Sequence, residues 1–286
     1  MTIRKIEKSE YEELRSVWCD VFGDEPIYVD ELYSTLKAEG YTCEDQGELH
    51  AFLTLFDVGE INGQQIQVSY AICTRPESRG KGYASELIKY VRDIVTSNGN
   101  ISLICPADDS LSLFYHNLGY EIGFFAKEQD AEACELNLRV RMIGHMKYNK
   151  LREEFLADIP HSNFTNRFMK FVKADSVNAQ GLLLINGGDA ICTISGGTDE
   201  EMILSELIVN PALSALSSEI AEQIASGLAS LFEVERIYFR TPTFIVYTDE
   251  SGDKYSRGSY VQAMIAGCKT ELDTASILPY YGLPLD

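Results

Sequence analysis

The sequence predicts an α+β protein, sandwich-like in its layering (α/β) and divided into two halves. Three observations carry this reading. The chain has 286 residues, enough for two ordinary domains. Apolar runs of strand length alternate with amphipathic helical stretches in both halves. A polar segment with a helix-breaking proline, HMKYNKLREEFLADIPHS, lies between them. Residues 1-148 and 149-286 are therefore expected to form separate domains.

Residues 3-6 (IRKI) read as an edge strand. A helix is expected from Ser9, a capping residue followed by Glu12 and Glu13, to Phe22, with Leu14, Val17, Trp18, Val21 and Phe22 at helical spacing. Gly23-Asp24-Glu25-Pro26 breaks it, and a second helix spans about 28-38. Strands follow at 49-58, 64-73 and 101-105. Between the last two, Gly82 to Ser97 reads as a helix with Ala84, Leu87, Ile88, Val91, Ile94 and Val95 on one face, stopped by Asn98-Gly99. A helix at 110-118 and strands near 120-126 and 133-146 complete the first half. In the second half, Leu182-Ile185 and Ala190-Ile194 flank Asn186-Gly187-Gly188-Asp189, a hairpin signal. A strand at 202-209 ends at Asn210-Pro211, where a helix begins that buries Leu213, Leu216, Ile220, Ile224, Leu228 and Leu231. Arg236-Arg240 returns as a strand, expected to lie parallel to the first because the connection is a crossover.

Composition narrows the function. Hydrophobic residues make up 45% of the chain, so a sizeable core is expected. Acidic residues number 44 against 24 basic ones, and a split at residue 150 leaves a net charge of −10 on either side. Such a field repels nucleic acid and anionic membrane and attracts cations; it equally serves solubility. Seven scattered cysteines with no C-x-x-C pair argue for reduced thiols rather than disulfides or zinc, and four histidines show no ligand spacing. No metal is expected. The N-terminus lacks a signal-peptide core, and no run of about 18 apolar residues exists, so a cytoplasmic protein is expected.

The chemistry concentrates in VSYAICTRPESRGKGYASELIKYV. An apolar strand stops at Cys73, a loop with Arg75, Pro76, Arg79, Gly80, Lys81 and Gly82 follows, and a helix starts at once. The first N–H groups of a helix lack internal partners, and the helix dipole adds positive charge there, so the junction suits a phosphate. A P-loop is excluded because Tyr83-Ala84 follow Gly82 where Lys-Ser/Thr is required. A dinucleotide fingerprint is excluded because the third glycine is missing. A glycine-rich turn without a ligand remains open beside the pattern R-x-x-G-x-A of Arg79, Gly82 and Ala84.

At this pattern the sequence resembles the GNAT N-acetyltransferase superfamily, whose pyrophosphate loop reads [QR]-x-x-G-x-[GA]. Phe114-Tyr115 and Leu118-Gly119-Tyr120 match the family's downstream helix in order and spacing. The resemblance implies a GNAT fold in the N-terminal half, acetyl-CoA as cosubstrate, and a cradle made of Arg79, Gly80, Lys81, Gly82, Tyr83 and Ala84. It implies that Ser69-Thr74 diverges from Ile101-Cys105, exposing Ile72, Cys73 and Thr74 to the pantetheine amides. Tyr115 takes the place of the family's general acid for the leaving thiolate; the alternative is a half-buried structural aromatic. Cys73 and Cys105 read as packing residues. Glu25, Asp30 and Glu31 lie on the acceptor side as candidate bases, and Tyr28, Tyr33 and Tyr70 as its lining.

WCDVFGDEPIYVDELY and SILPYYGLPLD resemble segments of bacterial two-lobed GNAT proteins, which implies a second, degenerate GNAT-like lobe. A sterol-carrier-like C-terminal half is the alternative. Val209-Asn210-Pro211-Ala212-Leu213-Ser214 lacks arginine and glycine, so no cradle is expected there. In the family's aminoglycoside-acetylating branch the chain-terminal carboxylate reaches the active site, which makes Asp286 a residue of interest. The expected activity is acetyl transfer to a primary amine of a small cationic molecule by direct attack on the thioester. The competing expectation is a non-catalytic acyl-CoA-binding or sensing module. The acceptor, the acyl chain length, the base and the oligomeric state stay open at this level.

Overall fold

The longest strand, β3 (Glu48–Ile61), takes in all of the largely apolar LHAFLTLFDV. The computed structural model describes residues 1–175, 181–213, 217–242, 247–248, 254–255, 259–269 and 280–282. The chain forms two compact units, Met1–Ile122 with Ala263–Thr270, and Gly123–Gln262 with Glu271–Asp286. The contacts thus divide at Ile122/Gly123, whereas the change to polar sequence comes after residue 144.

In the first unit the order is β1 (Thr2–Lys5), α1 (Tyr11–Phe22), α2 (Pro26–Leu36), β2 (Glu39–Asp45), β3 (Glu48–Ile61), β4 (Gln64–Thr74), α3 (Tyr83–Ser97), β5 (Ile101–Ile104) and α4 (Asp109–Asn117). Its sheet runs β1-β2-β3-β4-β5, antiparallel except for the parallel β4–β5 pair. The far end of β5 is covered by a late strand, whose Met264–Ala266 pair antiparallel with Ile104–Ser102. Gln64 fastens the chain beyond that strand, donating to Gly267 O at 2.7 Å and accepting from Lys269 N at 3.1 Å. α1 buries Leu14, Val17 and Trp18. α3 buries Leu87, Ile88, Val91 and Val95, the stripe its spacing predicts.

Several elements differ from the sequence expectation. Ser9 sits in a 3-10 turn (Lys8–Glu10), and α1 starts only at Tyr11. β2 carries no alternating pattern, because Tyr41, Thr42 and Cys43 are all buried; a Cβ at Gly40 would collide with Ile6 and Leu14. Phe22, expected on the buried face of α1, is 49% exposed.

The second unit comprises β6 (Glu121–Glu132, from Gly123 on), β7 (Val140–Met142), α5 (His145–Phe155), β8 (Asn163–Phe164), α6 (Asn166–Asp175), β9 (Leu182–Ile185), β10 (Ala190–Gly197), β11 (Glu201–Val209), α7 (Ser217–Leu231) and β12 (Arg236–Thr241). A two-residue hairpin, β13 (Tyr247–Thr248) with β14 (Lys254–Tyr255), precedes the late strand β15 (Ser259–Ala266). The sheet order is β6-β12-β11-β10-β9-β7. β9 and β10 form the expected hairpin, and β11 and β12 are parallel across α7, as the crossover requires.

α7 is described only from Ser217, and it buries Ala221, Ile224, Ala225 and Leu228. Leu213 and Leu231, expected on that face, are 46% and 49% exposed, and Leu216 lies outside the described residues. The strand expected over 133-146 shrinks to β7. Residues before it bond elsewhere, Ala133 N to Glu235 O at 3.0 Å and Cys134 N to Ser226 O at 3.1 Å. Leu136 and Leu138 crowd Gly227 of α7, so their alternation serves helix packing rather than a ladder.

The polar stretch after residue 144 folds as α5, with Tyr148, Arg152 and Phe155 buried at spacings of four and three. Arg152 is the centre of a buried network. Its Nε donates to Glu206 at 3.1 Å, Nη1 to Ser162 O at 2.6 Å and Nη2 to Tyr281 O at 3.0 Å, with its guanidinium 4.3 Å from the Phe164 ring centroid. Tyr148 donates to the other Glu206 oxygen at 2.9 Å. Ser162 Oγ adds a 2.6 Å bond to Tyr281 O, and Gln262 pairs with both backbone groups of Gly282. These bonds hold Tyr280–Gly282 inside the unit. Glu206→Ala strands a buried guanidinium and is expected to destabilise the protein by about 3–5 kcal/mol, read as a fall in the urea midpoint. Joint replacement of Arg152 and Glu206 by Met and Leu is expected to be milder in the same assay.

Candidate functional site

The parallel β4–β5 ladder ends at Val68↔Leu103, while β4 continues to Thr74. Against β3, Phe52 pairs with Cys73 and Thr54 with Tyr70, so Ala71 and Ile72 together oppose Leu53. This is a β-bulge, and Ala71 adopts φ +48°, a left-handed value rare outside glycine and asparagine. A bulge bends its strand and increases the local twist, which carries Ile72, Cys73 and Thr74 away from β5. Cys73 is buried, and that burial pushes its thiol up to about 12, consistent with packing rather than nucleophilic work.

The loop after β4 opens with a 3-10 turn, Pro76–Ser78. Gly80 and Gly82 take φ +73° and +86°, and a Cβ on either would meet nothing within 4 Å. Glycine is needed there for its backbone conformation, and the space in front of the loop is open. Gly82 is the N-cap of α3, and the first intrahelical bond runs from Glu86 N to Gly82 O at 3.1 Å. The N–H groups of Tyr83, Ala84 and Ser85 thus head the helix without intrahelical partners. Arg79 and Lys81 are exposed beside them, and Arg79 Nε donates to Thr74 O at 3.3 Å. Arg75, the third cation of the segment, is committed elsewhere: it donates to Glu13 at 2.6 Å and to Leu49 O at 2.8 Å. Open space, helix-head N–H groups and two exposed cations make a fit for a pyrophosphate.

α4 starts at a well-made cap, Asp108 accepting from Ser110 N at 2.8 Å and Leu111 N at 3.1 Å. Tyr115 on α4 is 8% exposed, its ring 6.3 Å from that of Tyr120. Burial first, then the neighbouring Tyr120, Cys105 and Asp108, push its phenol up to about 12, so it holds its proton at neutral pH.

α1, α2 and the start of the bulge share an aromatic cluster. Trp18 lies 5.5 Å from Tyr70 and 6.5 Å from Tyr28, and the hydroxyls of Tyr28 and Tyr70 are 3.2 Å apart. Tyr33 bonds Thr54 at 2.8 Å. Of the nearby carboxylates, Asp24 accepts from Trp18 at 2.6 Å, and Asp30 accepts from Tyr11 at 2.8 Å and Arg15 at 2.7 Å. Glu25, the N-cap of α2, and Glu31 on α2 are exposed.

The second strand-to-helix junction is described as far as Leu213. Asn210 accepts from Ala212 N at 3.0 Å and donates to Gly188 O at 3.0 Å, filling the turn with its own side chain. Ser214 and Asp286 lie outside the described residues. Sequence reasoning missed Ala71, whose residue type gives no hint of a bulge. It also missed His50, a lone histidine on β3 whose ring stacks on Tyr83 at 4.4 Å and 6°. Among the described residues no helix is long and apolar enough to cross a membrane.

A family model described as an acetyltransferase (GNAT) domain matches residues 2–123. No curated protein matches the sequence. In fold, the chain is similar to a conserved protein of unknown function from Enterococcus faecalis V583, described as a probable N-acyltransferase (TM-score 0.64, 12% identity, covering 92% of this chain and 72% of that one). It is similar to a GCN5-related N-acetyltransferase from Anabaena variabilis (TM-score 0.62, 15% identity, covering 92% and 72%). A tandem GNAT protein from the clavulanic acid biosynthesis pathway also matches (TM-score 0.52, 9% identity, covering 84% and 89%). At such identities the likeness is one of fold. Arg79→Glu is expected to raise the Kd for acetyl-CoA by at least tenfold in calorimetry while leaving the melting temperature unchanged, because the side chain is exposed.

Proposed function

We propose that the protein, whose residues 2–123 match a family model described as an acetyltransferase (GNAT) domain, transfers an acetyl group from acetyl-CoA to the primary amine of a small cationic molecule in the cytoplasm. One observation carries the reading: the bulged end of β4 leads straight into a glycine loop that heads α3 with open space before it. The N–H groups of Tyr83, Ala84 and Ser85, with Arg79 and Lys81, hold the pyrophosphate. Backbone groups of Ile72, Cys73 and Thr74 pair with the pantetheine amides as a neighbouring strand would. Bound acetyl-CoA supplies an activated thioester carbonyl.

The acceptor side is walled by the half-buried Tyr28 and Tyr70, whose aromatic rings suit a cation, and the net charge of −20 favours its approach. The amine attacks only when neutral. With Asp24 and Asp30 already engaged, its proton passes to Glu25, Glu31 or water. Tyr115 directs its hydroxyl proton to the departing sulfur. A phenol of pKa about 12 facing a thiolate whose acid lies near roughly 8.5 gives up its proton uphill, so its main contribution is a hydrogen bond that strengthens as charge builds on sulfur.

The engaged carboxylates also favour a second reading, an acyl-CoA sensor without turnover. A thiol-release assay over polyamines, aminoglycosides and amino-acid amines separates the two; acetyl-CoA binding without thiol release on any amine supports the sensor. For the enzyme, Tyr115→Phe is expected to lower kcat about a hundredfold with KM for acetyl-CoA unchanged. The reaction needs the protonated phenol, and its raised pKa keeps it protonated. The wild-type rate is therefore expected to show no alkaline fall from this group below about pH 11, measured as a kcat–pH profile.

A further inference from the structure

His50 belongs to no motif of the sequence, yet it touches both ends of the glycine loop. Its Nδ1 lies 2.8 Å from Ser78 Oγ and its Nε2 3.3 Å from the backbone oxygen of Asp45. A carbonyl only accepts, so in the neutral ring Nε2 carries the hydrogen and Nδ1 accepts the proton of the Ser78 hydroxyl. Ser78 is 1% exposed and ends the 3-10 turn just before Arg79. A hydroxyl so deeply buried needs its partner, which fixes the turn against β3. The face of the same imidazole lies flat on Tyr83, the first residue of α3, with ring centroids 4.4 Å apart and planes at 6°. Tyr83 is steadied further by its hydroxyl, which donates to Asp45 at 3.4 Å.

The loop itself cannot fix its own shape. Gly80 and Gly82 are the most permissive residues available, and no atom outside the loop lies within 4 Å of where their side chains would be. Its geometry has to be imposed from Ser78 on one side and Tyr83 on the other. We propose that His50 is a positioning residue for the coenzyme pyrophosphate, clamping Ser78 by a hydrogen bond and Tyr83 by stacking so that the anion-binding loop is set before the ligand arrives. This rests on the acetyl-CoA reading above. Without the clamp, ordering of the loop is charged against binding.

The test compares two ligands by titration, acetyl-CoA and S-acetyl-pantetheine, which lacks the pyrophosphate. His50→Ala is expected to raise the Kd for acetyl-CoA about tenfold and to leave that for acetyl-pantetheine within about twofold. Ser78→Ala is expected to reproduce part of this selective loss, and His50→Phe, which keeps the stacked ring, to recover part of it. Unchanged acetyl-CoA affinity in His50→Ala, with the parent protein binding normally, overturns the proposal alone. Equal weakening of both ligands also overturns it, because a general loss of stability makes no distinction between them. A parent protein that does not bind acetyl-CoA overturns this proposal and the acetyltransferase reading together.

Discussion

Strand β4 leaves its parallel neighbour after Val68, and the features that a ligand would meet in the N-terminal unit are arranged around that departure. The cause is local: two residues, Ala71 and Ile72, stand opposite Leu53, and Ala71 is held at φ +48°. A left-handed alanine in a strand costs about 1–3 kcal/mol and persists only where its surroundings over-determine it. Here the β3–β4 ladder resumes on both sides, through Thr54↔Tyr70 and Phe52↔Cys73, and holds the bulge from either end.

The loop beyond the bulge shows how charge is sorted once a strand has been aimed. Three cations enter it in sequence, but Glu13 captures Arg75 for the scaffold and leaves Arg79 and Lys81 exposed at the head of α3. In a chain of net charge −20 such a spot is a local exception. It depends on short-range placement, since charges beyond a Debye length, about 8 Å in physiological salt, contribute little. The second unit repeats the strand–helix–strand order without the exception. Asn210 spends its side chain on Ala212 and Gly188, and the turn satisfies itself.

That second unit is organised by a different constraint, the burial of Arg152. Removing a guanidinium from water is costly unless its donors find acceptors, and Glu206, Ser162 and Tyr281 accept one bond from each of its three nitrogens. Because one acceptor is the backbone of Tyr281, the network ties α5 and β11 to a segment near the C-terminus. A Cβ at Gly282 would collide with Glu206 and Arg152, so the chain there passes as close as a backbone can.

The glycine loop that heads α3, the amphipathic α3 itself, the β9–β10 hairpin and the α7 crossover were legible in the sequence, because each is encoded by local pattern: glycine and arginine spacing, a 3.6-residue period, an Asn-Gly turn. So was the family resemblance of the N-terminal half. β2 and α5 were not, since both faces of Tyr41–Cys43 are buried and the core side of α5 carries an arginine, which defeats any reading that equates polar with exposed. The bulge at Ala71 and the ring of His50 against Ser78 and Tyr83 leave no local trace either. The sequence alone determined that a glycine-rich loop with basic residues heads a helix. Which backbone faces it, which cation is withdrawn from it and what holds it in shape were decided by pairing between β3 and β4 and by contacts across 28 residues or more, where only the folded chain brings the partners together.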